Sequence, residues 1–382
     1  MYRKFITNEG GIFMKCITIG VASLALVGVL AGCYQTSEAQ TEHTVTTEEN
    51  VQLISSLDDS TLQVQHETIS FPKGISTDTS YMGFLGQHFY FNTDDGIYVF
   101  DVESETYDKV ADGSFYEISQ NGQRTLTSIN DVSYVLDFET MQKTKIDGTN
   151  IQDLIFFAND EGSKVFHIND ENHEEIIFNY IDVKTGAKQS WSAKGYNVSL
   201  TAQKAEDGIY IFGENEQSGY GIYQIKDNQE VVKITDLDNG LWVESSDFLS
   251  ETKFIFSGSV DNQTGIYMKD IRTDKTTLLV AGGKSKEGIW TPSFSLSPDQ
   301  SKILFDTPVQ VGEEFKGDVY VAELSIADEQ LKNTTRLIEK GDLYAVIALS
   351  GKWSNDSKTA YIHTYNKEDF TYKTVEKFIF EE

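Results

Sequence analysis

The sequence predicts an all-β chain, and three of its features carry that reading. From Thr61 to the C-terminus, short runs rich in Val, Ile, Tyr and Phe are punctuated by Gly, Asn, Asp and Ser, and no stretch holds a helical period. The runs recur. Gly96-Ile97-Tyr98, Gly221-Ile222-Tyr223, Gly265-Ile266-Tyr267 and Gly317-Asp318-Val319-Tyr320 read as one strand opening in four copies, with Tyr134 and Phe178 at the same place in two more. The strand leads into a turn marked by an Asp and, three residues on, a hydroxyl: Asp101/Ser104, Asp137/Thr140, Asp182/Thr185 and Asp270/Thr273. The Asp residues are spaced by 36, 45 and 88 positions, the last being two periods of 44. An Asp and a hydroxyl so placed can satisfy the exposed backbone groups of a tight turn.

A further mark lies earlier in each unit, at Ser297-Pro298-Asp299-Gln300-Ser301-Lys302-Ile303-Leu304-Phe305. Related forms begin at Ser119, Asn159, Ser250 and Ser354. These segments resemble the S-P-D-G-K-x-I-x-F hairpin of TolB-type and related WD-like propeller repeats. The likeness covers most of residues 75–382, is near only in the unit at Ser297, and speaks to fold rather than activity. Each unit divides into four strands at the period of a propeller blade. The units run 80–112, 114–147, 151–193, 195–235, 241–281, 290–338 and 343–382. Seven blades are expected, with six as the alternative if one unit is merged. The last unit holds only three strands. Its fourth is available upstream, in the run from Leu62 to Phe71, so an N-terminal strand is expected to complete the last blade and close the ring.

Before that domain lies an address. Residues 16–29 (CITIGVASLALVGV) form an apolar run after Lys15, followed by Leu30-Ala31-Gly32-Cys33. A short basic region, an apolar run too short to span comfortably, and small residues together read as an export signal. Leu-Ala-Gly-Cys in that position resembles the lipobox of bacterial lipoproteins. The resemblance implies a signal peptide over 1–32, cleavage before Cys33, and a diacylglycerol and a further acyl chain on that cysteine. Two or more chains make a stable membrane anchor. Residues 33–60 are then the lipidated cysteine and a disordered tether rich in Thr, Glu, Gln and Ser, with a root-mean-square reach of roughly 25–30 Å. Residues 61–382 are the propeller domain.

Charge and cysteine content exclude whole classes of function. There are 60 acidic against 31 basic side chains and a net charge of −29; loss of residues 1–32 brings this to −31 over 350 residues. Such a surface repels nucleic acid, anionic wall polymers and lipid headgroups. The two cysteines are Cys16 and Cys33, so the mature chain keeps only the lipidated one, which removes disulfides, thiolate metal sites and cysteine nucleophiles together.

Catalytic patterns are sparse. Gly283-Lys284-Ser285 has the end of a phosphate loop, but Leu278 stands where its first Gly should be and strand pattern follows. No G-x-S-x-G elbow is present. His43, His66, His88, His167, His173 and His363 fall in no metal-binding spacing. The segment from Asp236 to Trp242 (DLDNGLW) resembles a sialidase Asp-box with one residue missing, but it stands alone, and Arg124, Arg272 and Arg336 fall at different strand levels. Read as a calcium loop, it offers Asp236 and Asp238 as ligands without the full twelve-residue spacing. Calcium is therefore the one cofactor considered, with none as the main expectation.

The candidate ligand site is positional. Tyr81, Phe115, Tyr196, Trp242, Trp290 and Tyr344 recur where the chain enters the innermost strand of a blade, so they are expected to ring one mouth of the central channel. With Glu244, Glu287 and Asp342 between them, such rings suit a sugar, a cationic peptide or a partner's loop. Trp191 and Trp353 are expected between blades instead. The function expected is that of a lipid-anchored extracytoplasmic binding or scaffold module at the cell envelope, with a protein, glycan or peptide partner and no nucleic acid. The alternatives are a carboxylate-dependent glycan hydrolase or lyase, and a sensor of a small ligand or divalent cation. No catalytic residue is assigned. Asn8-Glu9-Gly10-Gly11 ahead of Met14 can be encoded by GAAGGAGGN, which suggests translation from Met14. The gene is expected to carry an AGGAGG-like tract there, and sequencing codons that spell none would remove that start.

Overall fold

A computed structural model describes residues 2–6, 12–16, 62–70, 82–85, 88–93, 96–101, 104–119, 122–147, 154–159, 161–169, 175–194, 196–205, 208–215, 217–226, 230–237, 241–250, 252–285, 288–342, 352–365 and 372–381. They form seven four-stranded antiparallel sheets arranged in a ring, a seven-bladed β-propeller. The first strands of blades 1 to 7 are Met82–Leu85, Ser114–Ile118, Leu154–Phe157, Tyr196–Ala205, Leu241–Ser250, Phe294–Leu296 and Lys352–Trp353. In blades 1 to 6 the next three strands follow in sequence order. In blade 7 the fourth strand is Gln63–Ser70, paired antiparallel with Tyr372–Glu381 from Gln63↔Glu381 to Ser70↔Thr374. Tyr2–Ile6 pairs with Ile12–Cys16 inside the segment read as the signal. The rest of the apolar run, Cys33 and the tether lie outside the described residues.

The apolar runs are continuous because every blade buries both faces. Seven clusters fill the seven gaps between neighbouring blades. Along the second strand of blade 6, Ile303 and Phe305 pack toward blade 5 while Leu304 packs toward blade 7. In blade 5, Phe254 and Phe256 face blade 4 and Ile255 faces blade 6. The gap between blades 7 and 1 holds Tyr361, Val375 and Ile69 against Phe89, Phe91 and Phe100. Trp353 lies between blades 7 and 6, against Phe380, as expected; the Trp191 side chain is outside the described set.

Both repeat marks are turn devices. Asp101, Asp137, Asp182 and Asp270 each accept the backbone N–H three residues on, at 2.8–3.0 Å. Those hydrogen bonds hold the Asp137, Asp182 and Asp270 carboxyls below the usual carboxylate range. The residue after each hydroxyl, namely Glu105, Met141, Gly186 and Asp274, takes a left-handed φ of 54–68°. In the other mark, Ser119, Ser297 and Ser354 accept the N–H five residues on through Oγ, and Asn159 does so through Oδ1. These two turns join strands 1–2 and 3–4, so they share one face of the ring. The opposite face carries the 2–3 turns and the connections between blades.

One expected boundary is corrected. Trp290 does not open blade 6: Gly288–Trp290 pairs with Gly283–Ser285 in a separate hairpin, and the blade begins at Phe294. The same hairpin accounts for Gly283-Lys284-Ser285 as strand rather than phosphate loop.

Removing a ring from a gap filled from both sides leaves a void the rigid sheets cannot close. Phe305 is fully buried and stacked on Tyr320. Phe305→Ala is expected to lower stability by about 3–5 kcal/mol, read as the shift in a urea unfolding midpoint at unchanged slope.

Candidate functional site

The first strand of each blade lies innermost and has one edge with no strand beyond it. Its backbone groups on that edge need other partners. Side chains of neighbouring blades supply several. Asn92 of blade 1, itself buried, takes both backbone groups of Phe115 in blade 2: its Nδ2–H donates to the Phe115 carbonyl at 2.8 Å, and its Oδ1 accepts the Phe115 N–H at 2.9 Å. The Glu117 carboxyl of blade 2 accepts the Phe157 N–H of blade 3, at 3.1 and 3.2 Å to its two oxygens. Ser257 of blade 5 donates to the carbonyl of Pro292, on the approach to blade 6, at 2.5 Å.

This arrangement separates the expected aromatic ring into different roles. Phe115 is 1% exposed and packs with Tyr90, Ile97 and Leu136 between blades 1 and 2, so it is core and not a mouth residue. Tyr196 opens the first strand of blade 4, its side chain outside the described set. Tyr81 and Tyr344 fall outside the described residues. Trp290 is half-buried and pinned: its Nε1–H donates to Asp306 at 3.0 Å, and its carbonyl accepts the Thr264 hydroxyl at 3.1 Å. Trp242 alone of the described tryptophans is open, at 53% exposure.

Trp242 stands near the start of the first strand of blade 5, on the face that carries the connections between blades. Its own strand then bulges between Val243 and Ser245. The bulge depends on Gly258 opposite, where a Cβ would fall 1.9 Å from the Trp242 carbonyl oxygen. With that irregularity the solvent-reaching positions become Trp242, Glu244, Asp247 and Ser250, while Val243, Ser246 and Phe248 are buried. The open positions of an innermost strand look into the central channel.

Several ionisable groups on or beside the inner strands are shifted by their surroundings. Burial pushes the Asp247 carboxyl up to about 7. Glu244 is raised by burial and then by the nearby Asp306 carboxylate. Glu117 is pushed up to about 8 by burial, against the lowering effect of the Phe157 N–H. Burial pushes the Lys352 ammonium of blade 7 down. Asp306, 1% exposed, is tied to Trp290 Nε1, to the Ser293 N–H at 3.3 Å and to the Ser293 hydroxyl. Sequence reading named Glu244 among the mouth carboxylates but missed Glu117, Asp247, Asp306 and Lys352, since nothing local separates them from the many other charged residues.

The calcium reading of Asp236 meets a different geometry. Its carboxylate pairs with the Lys233 ammonium, which also donates to the Ser218 carbonyl, so a cation already faces it. Asp238, Glu287 and the Asp342 side chain are not among the described atoms. Among the described residues no group of three or more His, Cys, Asp and Glu is placed to hold a metal ion.

No protein-family model matches the chain. No curated protein matches it either. Solved structures do. An oligogalacturonate lyase in complex with manganese is 11% identical, with a TM-score of 0.52 over 85% of this chain and 94% of that one. The β-propeller domain of the trilobed protease from Pyrococcus furiosus, described as having an open velcro topology, is 10% identical at a TM-score of 0.52, over 81% and 95%. TolB from Acinetobacter baumannii is 14% identical, over 75% and 78%, at a TM-score of 0.40, too low to add to the fold assignment. At these identities the first two likenesses establish the propeller fold and nothing about chemistry.

Glu117 gives a pH test. Its folded pKa is about 8, raised from 4.5, so the folded state binds the proton more tightly than the unfolded state. The stability this contributes is full below pH 4.5 and is lost as pH rises to about 8. Glu117→Gln keeps an oxygen for the Phe157 N–H and removes the ionisation. The variant should match the parent's Tm at pH 4.5 and exceed it at pH 8.5; a gap that does not grow with pH would refute the assignment.

Proposed function

We propose that this protein is a lipid-anchored, extracytoplasmic propeller that binds a polypeptide partner through the channel mouth beside blade 5. The observation that carries the reading is Trp242: a large ring, half open to water, fixed on an innermost strand anchored by the buried Val243, Ser246 and Phe248. An exposed indole on a rigid support is the kind of anchor that dominates protein interfaces. No described group of residues joins a nucleophile, a base and oxyanion donors, which favours binding over turnover. The anchor rests on Leu30-Ala31-Gly32-Cys33 after the apolar run. The tether would hold the ring off the membrane without fixing which face points outward.

Two variants test the two halves. Cys33→Ala is expected to move the protein from the membrane to the soluble fraction. Chemical crosslinking in the native envelope, followed by mass spectrometry, is expected to capture a protein with the parent and lose it with Trp242→Ala, while the thermal midpoint stays within about 2 °C because an exposed side chain contributes little to folding. Capture that survives Trp242→Ala would overturn this use of the mouth.

A further inference from the structure

In blades 1 to 6 the outermost strand follows the third through a short turn, so it cannot leave without dragging a hairpin with it. In four of those blades an Asp carboxylate also locks the turn. Blade 7 has no such turn. Its outermost strand, Gln63–Ser70, comes from the other end of the chain: His66 and Glu376, which touch, are 310 positions apart. Six of its eight side chains are exposed, Val64 is half-buried, and Ile69 alone is buried, in the gap toward blade 1. Gln65 bonds Glu381, His66 and Thr68 both meet Glu376 at 2.7 Å, and Glu67 meets Lys377 at 3.0 Å. Among the described residues, then, the strand's polar side-chain links all run to Tyr372–Glu381. That acceptor is itself fixed, with Val375 buried against blade 1 and Phe378 and Phe380 against blade 6. The outer strand can therefore detach while the acceptor stays in place, which leaves the eight positions from Thr374 to Glu381 as an open edge. The sequence that fits this edge is the chain's own. Eleven residues separate Ser70 from Met82, a length that can span at most roughly 36–40 Å.

We infer that Gln63–Ser70 is exchanged between two copies of this chain, each lending the strand to blade 7 of the other. The interface is the outer edge of blade 7, used by both copies in the same way, as a two-fold exchange requires. Every contact of the strand is remade in the pair. The ladder, the Ile69 packing and the His66 stack on Phe378 thus cancel between the single and paired states, and protein concentration sets the balance. Confinement to a membrane, as proposed above, would raise that concentration. The exchange concerns the outer rim of the ring and does not depend on the partner read at the channel mouth.

A disulfide placed across the ladder reports which copy supplies the strand. Cys16→Ser and Cys33→Ser leave the chain without a thiol. Glu67 and Lys377 stand directly opposite one another, within the span of a disulfide. On that thiol-free background, Glu67→Cys and Lys377→Cys chains are purified apart, mixed and oxidised. A chain carrying both substitutions is expected to close the disulfide within itself, which checks register and folding. The mixture is expected to give a covalent dimer joining position 67 of one copy to position 377 of the other, identified by peptide mass. Its yield should be tenfold or more above that from Glu67→Cys mixed with Glu313→Cys, an exposed position on the blade 6 hairpin. A dimer no more abundant than this control, while the internal disulfide forms normally, overturns the inference. Failure of the internal disulfide overturns it too, because the strand would not lie where exchange needs it. Neither result bears on partner capture through Trp242, which is read in a separate experiment.

Discussion

In this ring each sheet is the filling between two others, and the rest of the structure depends on that. A strand such as Lys302–Val311 has no solvent face along its middle: odd positions press on blade 5 and even positions on blade 7. The apolar runs are therefore unbroken where a two-layer sandwich would show alternation. Stability is distributed over seven gaps of similar kind instead of one centre. The gap between the last and first blades is filled like the others, with Ile69 from the N-terminal strand among its residues. That strand leaves most of its side chains in water, and its hold on Tyr372–Glu381 is a ladder of backbone bonds with His66 stacked on Phe378 and paired with Glu376.

Stacking the blades solves the faces and leaves the inner edges. Seven first strands of two to ten residues line the inside of the ring, each with a row of backbone groups that no further strand can take. The solutions are individual. An amide from Asn92 serves one strand, a carboxyl from Glu117 the next, and a hydroxyl from Ser257 the approach to another. Glu117 shows what such a solution involves, because an enclosed carboxyl accepts a backbone N–H well when neutral and is penalised when ionised. The same enclosure acts on Glu244 and Asp247, which serve no backbone group among the described residues. Burial raises all three carboxyls, and among the described residues Glu117 alone of the three holds a backbone N–H. That contrast, more than the number of acids, separates framework from candidate site.

What could be read from the sequence divides along local and non-local lines. The Asp-x-x-Ser/Thr turns and the Ser-led hairpins are complete within six residues, so both were visible as local marks, while the atoms that accept each N–H come from the structure. The N-terminal partner of the last blade was visible too, because a blade one strand short must find one. Phe115 was misassigned because an innermost strand alternates between channel and gap, and a one-residue bulge between Phe115 and Glu117 decides which side a ring takes. Trp290 was misplaced by the Gly283–Trp290 hairpin, which repeats nothing in the other units. The pairing of Asp236 with Lys233, only three positions earlier, was not legible either, since the strand conformation sets whether two such residues meet. The shifted acids needed the fold itself: Glu117, Asp247 and Asp306 belong to three different blades, and their surroundings come from strands far away in sequence.

The two faces of the ring differ in a way that bears on function. On one face the described turns are largely locked by their own side chains, with Asp and Ser oxygens taking the local N–H groups and a left-handed residue in the 3–4 turns of blades 1, 2, 3, 5 and 6. Such turns have little freedom to change shape and present carboxylates already occupied. The other face carries the connections between blades, which vary in length from the single residue between Lys194 and Tyr196 to the passage from Ala281 to Phe294, which has grown its own hairpin. It also carries the opening of the channel and Trp242. A surface free to vary in sequence, set on strands that cannot move, suits recognition better than a surface whose residues are consumed in holding its own turns. The position of Trp242 follows from the same logic. It belongs to an inner strand and inherits that strand's rigidity, beside the bulge that Gly258 accommodates. An exposed aromatic ring and two exposed acids are thus carried by one irregular stretch of inner strand, and a side chain at Gly258 would collide with the Trp242 carbonyl at its start.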